Sequence, residues 1–148
     1  MYGKMLAFVM EYKYLGIKVV AGASFSTCMV RPLVKFRSAA NTILNAPYAS
    51  SEPVLMKLLY AICVPLLTYA SEVMILSVRQ MHPLTVALND CIRRIFGYNR
   101  WESVRFLRLS LGYPSLIDIF SSRKRKFLAR SSLIDNVAVR RLLELKLV

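Results

Sequence analysis

Acidic side chains are scarce in this 148-residue sequence, where eight Asp and Glu stand against 21 Lys and Arg. No two of the eight are spaced as a metal-binding carboxylate pair, and no GxSxG, P-loop, HExxH or dinucleotide glycine fingerprint occurs. These absences remove the usual sequence supports for hydrolytic, nucleotide-cleaving and redox chemistry. The one histidine, His82, stands next to Pro83 and reads as a helix-start or solvated position rather than a general base. Three cysteines, Cys28, Cys63 and Cys91, lie far apart with no CxxC, so they neither pair fully nor match a zinc template. Reduced thiols in an intracellular protein, cytoplasmic or nuclear, are the expectation. A membrane span is missing too. The most apolar stretch, Leu58 to Leu76, carries Pro65 and Glu72, and its uncharged part ends at Ser71, short of the ~20 residues a span needs. The first residues, MYGKMLAFVMEYKY, have no small-residue cleavage site and do not read as a signal peptide.

What the sequence has in excess is positive charge. Its net charge is +13 and its pI about 10.1. Residues 1–78 hold 7 basic and 3 acidic side chains, whereas residues 79–148 hold 14 and 5. Such a surface suits a polyanion, because each neutralised phosphate releases condensed counterions. The hydrophobic fraction, 56%, exceeds the roughly 45–50% of ordinary domains. One buried core is expected, with apolar surface left over for a neighbouring domain.

Strand signals are confined to the start. LAFVMEYKYLGIKVV, from Leu6 to Val20, alternates loosely and reads as a strand or hairpin closed by Gly22. Helical periodicity follows, and more than half the chain is predicted helical. Ser24 or Ser26 is placed to cap a helix over 27–44, with Val30, Leu33, Val34, Ala40, Ile43 and Leu44 on its apolar stripe and Asn45 and Pro47 ending it. Ser51 caps a helix running through Val73, apolar nearly all round and kinked at Pro65. Pro83 opens a third helix that ends at Phe96 before Gly97. Ser103 starts a short helix broken at Gly112-Tyr113-Pro114. Ser115, with Asp118 three residues on, resembles a capping box, and the chain then continues as one long helix or two joined near Asp135-Asn136.

Two features invite a binding role. Arg123-Lys124-Arg125-Lys126, followed by Arg130, lies between Phe120 and Phe127-Leu128. On a helix four consecutive cations splay round more than a full turn, so some line a path along a phosphate backbone while others face elsewhere. A solvated helix face is the bland alternative. Arg100-Trp101 with Arg105 and Arg108 forms a second candidate face, with core packing the first expectation for Trp101. Glu72, inside an apolar run, needs a cationic partner from a neighbouring helix.

The order of segments carries a resemblance. Tyr12-Lys13-Tyr14-Leu15-Gly16-Ile17 comes first, then a basic helix, then Val64-Pro65-Leu66-Leu67-Thr68-Tyr69-Ala70-Ser71-Glu72, then Asn89-Asp90-Cys91-Ile92-Arg93-Arg94-Ile95-Phe96-Gly97. Over residues 10–130 this resembles the stretch after the palm in reverse transcriptases of LINE-type (non-LTR) retrotransposons. The resemblance implies a mainly α fold: a residual palm-edge strand or hairpin over 1–22, then a helical thumb and connecting region over 23–148. It implies a C-terminal fragment of an RNA-directed DNA polymerase, with a template–primer of RNA or DNA and the missing palm and fingers domains as partners. Tyr14, Leu15 and Gly16 inherit a primer-grip role, and Arg31, Lys35 and Arg37 become backbone contacts beside Arg123, Lys124, Arg125 and Lys126. Ala70 stands where that family usually has Gly, and Met74 where it often has Trp. The [FY]-x-D-D motif of the palm is absent, so the Mg²⁺ of the parent enzymes has no ligands here, and the chain is expected to be catalytically silent alone and to carry no cofactor. Two other readings remain open: a stand-alone basic helical nucleic-acid-binding module, and a helical membrane-surface protein, the latter opposed by the lack of a clean amphipathic or spanning segment.

Overall fold

The computed structural model describes residues 9–14, 17–20, 26–46, 51–74 and 76–133. Leu15, Gly16, Gly22, Ser24, Pro47 and the expected helical tail beyond 133 lie outside the described residues. The chain is mainly helical.

The aromatic and β-branched residues at the start form strands, as side chains that pack well on a pleated surface do. β1 (Glu11–Tyr14) pairs antiparallel with β2 (Ile17–Val20), placing Glu11 opposite Val20 and Tyr14 opposite Ile17. A third short strand, β3 (Ser26–Thr27), pairs with the other edge of β2, with Val20 opposite Ser26. The sheet therefore runs on past Gly22, and Thr27 is a strand residue, not the first residue of a helix. The helix starts three residues later as α1 (Val30–Leu44), with Met29 at its N-cap and Pro32 in its first turn, where a missing N–H costs little. Asn45 ends it as expected.

The apolar stripe of α1 is rotated from the expected one. Phe36 is fully buried with Ala40 beside it, whereas Val30 and Val34 are exposed. At 3.6 residues per turn they lie about 120° and 160° from Phe36, and a large aromatic outweighs two valines in deciding which side faces the core.

The next segment is a single rod in three parts: α2 (Glu52–Leu58), a wide π-helical turn (Leu59–Cys63) and α3 (Val64–Thr68). Pro65 explains the middle part. It has no N–H to donate and its ring crowds the carbonyl one turn back. A turn in which the Val64 N–H reaches back to the Leu59 carbonyl makes room for that ring without a sharp break. The rod does not reach Val73. It stops at Thr68 in a type II turn, closed by the Ser71 N–H donating to the Thr68 carbonyl at 3.2 Å. Ala70 takes the left-handed position of that turn, with φ 55°. Since a glycine would have signalled the turn and none is present, the apolar pattern runs on past the real end.

α4 (Val78–Phe96) begins more than a turn before Pro83, contrary to the expected start. Its signal is a capping box: the Ser77 hydroxyl accepts from the Gln80 N–H at 3.3 Å, and the Gln80 side chain accepts from the Ser77 N–H at 2.9 Å. Pro83 then forfeits a single backbone bond in a helix already started. Leu84, Ala87, Leu88, Cys91, Ile92 and Ile95 form one buried stripe, and Gly97 ends the helix with φ 67°. α5 (Arg105–Ser110) is short. Gly112, at φ 73°, turns the chain, and the Tyr113 N–H returns to the Arg108 carbonyl at 3.0 Å. α6 (Leu116–Ser131) starts from the expected Ser115–Asp118 capping box.

The core lies where α1, the rod and α4 meet, with Phe36, Met56, Leu59, Leu67, Leu84, Leu88 and Ile92 almost wholly shielded. α6 packs on α4 and contributes Leu116. The Tyr60 hydroxyl donates to the Pro114 carbonyl at 3.0 Å while its ring lies 4.5 Å from that of Tyr113, fastening the rod to the entry of α6. Burial pushes the Tyr60 hydroxyl up to about 12, so it stays a donor across the whole working range.

Candidate nucleic-acid interface

Arg31, Lys35 and Arg37 all lie on the exposed side of α1, because Phe36 and Ala40 claim the opposite side. Tyr14 ends β1, and Leu15 and Gly16 fall outside the described residues. The α1 cations and the α6 cations stand on different helices that both pack against α4.

The run on α6 divides as its helical spread requires. Arg123 turns inward. One of its Nη atoms donates to the Thr68 carbonyl at 2.9 Å and lies 3.8 Å from Glu72. Thr68 closes α3, so a cation from α6 meets the negative end of that helix. Arg123 is thus also the cationic partner that Glu72 needs, although Glu72 sits in the turn after α3 and is about a third exposed. Lys124 is half-buried at a groove with Ser71, Met74, Met81 and Phe120. Arg125, Lys126 and Arg130 point to solvent. Of the basic run, these three are the side chains free to meet phosphates.

Trp101 does not pack in the core. It is 83% exposed, and Phe106 is 78% exposed, beside the solvent-facing Arg100 and Arg105. The expectation of core packing fails because Trp101 falls in the loop between α4 and α5, which the Glu102 side chain ties down by accepting from the Asn99 N–H. Large aromatic faces next to arginines are what a base can stack on.

Sequence reasoning passed over a cleft of about 270 Å³ between α4, α5 and the start of α6, lined by Asn89, Arg93, Ser103, Arg105, Arg108 and Ser115. Arg93 is already engaged, by Asp90 at 2.8 Å and by the Glu102 carbonyl at 2.9 Å. Arg108 Nε and Asn89 Oδ1 are buried with no hydrogen-bond partner among the described residues. Arg105 and Arg108, already read from the sequence as part of the Trp101 face, lie one turn apart on a short helix and so on the same side. Asn89 gave no signal, since its burial depends on packing between helices.

Buried thiols offer no nucleophile: burial raises Cys63 and pushes Cys91 up to about 11. Among the described residues there is no group of three or more metal-ligating side chains and no helix long and apolar enough to cross a membrane. No family model, no curated protein and no solved structure matches this chain.

Proposed function

We propose that this chain is the thumb-side piece of a LINE-type reverse transcriptase, holding a template–primer by its backbone rather than acting on it. The observation that carries the reading is the turn after α3. The resembling family has glycine at the position of Ala70, and the backbone there is left-handed, the conformation that glycine adopts most readily. A left-handed residue at this position is compatible with that glycine. Met74, in place of tryptophan, is buried against the same core. A hairpin followed by helices, with solvent-facing cations on α1 and α6, fits the same reading.

The test is salt dependence. Duplex affinity should fall linearly on a log–log plot against salt, by about 0.9 per phosphate contacted. Replacing Arg125, Lys126 and Arg130 by Gln should lower that slope by about 2 to 3. Replacing Arg123 should leave the slope within about 1 of wild type, because its guanidinium is held by Thr68 and Glu72. A triple variant with an unchanged slope sinks the α6 interface. A second reading, a stand-alone module for single strands, is favoured by exposed Trp101 and Phe106. It predicts that single strands quench Trp101 fluorescence and outcompete duplex.

A further inference from the structure

We propose that the cleft between α4, α5 and the start of α6 is a binding site for a phosphate group that carries or adjoins a hydroxyl. The proposal stands apart from the nucleic-acid reading, because it rests on unmet bonding capacity inside the fold and not on surface charge.

Arg108 is the central observation. A guanidinium carries five N–H donors, and the Nε of Arg108 is shut off from solvent with no hydrogen-bond partner among the described residues. A partly buried cation left in that state is costly, and an anion placed against it recovers the loss. Of the acids, Asp90 pairs with Arg93 instead. Asp118 feels the charge of Arg108, but its carboxylate accepts from the Ser115 hydroxyl and the Ser115 N–H, and these bonds hold it below its ordinary value. Arg105, one turn before Arg108, lines the same cleft and has no hydrogen-bond or ion-pair partner of its own through its side chain among the described residues. Two cations therefore line one cleft, and among the described residues no ion pair ties either to an acid. A planar fork meeting a phosphate oxygen pair is the strongest hydrogen-bonding arrangement open to them.

Asn89 narrows the ligand further. Its Oδ1 is buried and receives no hydrogen bond from the described residues. A bare oxyanion cannot satisfy it, because two acceptors repel. The ligand must bring an O–H alongside its anionic oxygens. A hydrogen phosphate does so through its own proton. A phosphodiester in RNA does so through the neighbouring ribose 2′-hydroxyl. Sulfate, fully deprotonated at neutral pH, does not. The cleft volume, about 270 Å³, holds a phosphate with part of a sugar and is below the span of most drug-sized sites.

The experiment follows the Nε–H resonances of the arginines in the full chain by ¹H–¹⁵N NMR while inorganic phosphate, and separately sulfate, is added. Arg108 should shift saturably with phosphate, and sulfate should bind about tenfold more weakly for want of a donor to Asn89. Arg105→Gln changes an exposed residue and should keep the fold while weakening phosphate about tenfold. Asn89→Leu should abolish the preference for phosphate over sulfate. Short RNA and DNA duplexes of one sequence then separate the sources. RNA that shifts Arg108 where DNA does not assigns the cleft to a ribose–phosphate unit. Phosphate binding with neither duplex assigns it to free phosphate, and supports the site while counting against the nucleic-acid reading. No saturable shift with phosphate, equal binding of phosphate and sulfate by the unmodified chain, or an undiminished response in Arg105→Gln would overturn the proposal.

Discussion

Residues 76–133 and residues 51–74 are both helical, but their helices stop and start for different reasons. In the first region the limits are local. Ser77 with Gln80 and Ser115 with Asp118 open α4 and α6, and Gly97 and Gly112 close α4 and α5 in left-handed backbone. Each device occupies a few adjacent residues and works by satisfying backbone groups that a helix end leaves unpaired. In the second region the limits come from elsewhere in the fold. Ser51 stands at the N-cap of α2 without a side-chain cap bond. The last carbonyl of α3 accepts from the Ser71 N–H of the following turn and also from Arg123, 55 residues further on. The turn that follows is forced on an alanine. Local punctuation survives the removal of neighbours, whereas borrowed punctuation does not.

The largest effect should come from cutting the borrowed contact. Arg123→Ala should cost about 1–2 kcal/mol by chemical denaturation, since it strips a charge-assisted bond from a buried residue, discounted because the arginine is over a third exposed. Glu72→Gln should change stability by only about 0–1 kcal/mol, because the ion pair is long and partly solvated. Equal costs for the two variants would mean that the ion pair, and not the helix end, is what Arg123 serves.

Next come the local caps. Ser77→Ala and Ser115→Ala should each cost about 1 kcal/mol, with helix content lost at the start of α4 or α6 alone, as amide exchange would report. The Ser115 cap also carries a pH signature. Asp118 is held below 3.8 by its bonds from Ser115. A carboxylate with a depressed folded value adds stability that is present above the unfolded value and fades as pH falls through the folded one. Wild type should therefore lose its advantage over Ser115→Ala in acid, below about pH 4. A constant difference between them across that range would break the assignment.

The smallest effect has the opposite sign. Ala70→Gly should stabilise the protein by about 0.5–1 kcal/mol, since the left-handed strain of a non-glycine residue exceeds the entropy glycine loses on folding. A loss of stability would show that the turn at Thr68–Ser71 is not the one described. Such a result would also remove the observation on which the family reading leans most.

From the sequence alone came the mainly helical class, the strand-forming start, the ends of α1 and α4 at Asn45 and Gly97, and the cap of α6, because each follows from residues within about one turn of each other. Pro83 misled because proline's preference for helix starts is statistical, and the capping box that begins six residues earlier determined where α4 began. The choice of buried face on α1, the wide turn ahead of Pro65, the end of α3 and the fate of Arg123 were settled only by packing. They depend on what stands opposite: Phe36 finds a core, Thr68 finds an arginine from α6, and Arg108 Nε and Asn89 Oδ1 find no partner among the described residues. Periodicity records which side chains avoid water. It does not record which distant group completes a hydrogen bond, and in this protein the separation of structural from available cations rests on those distant bonds.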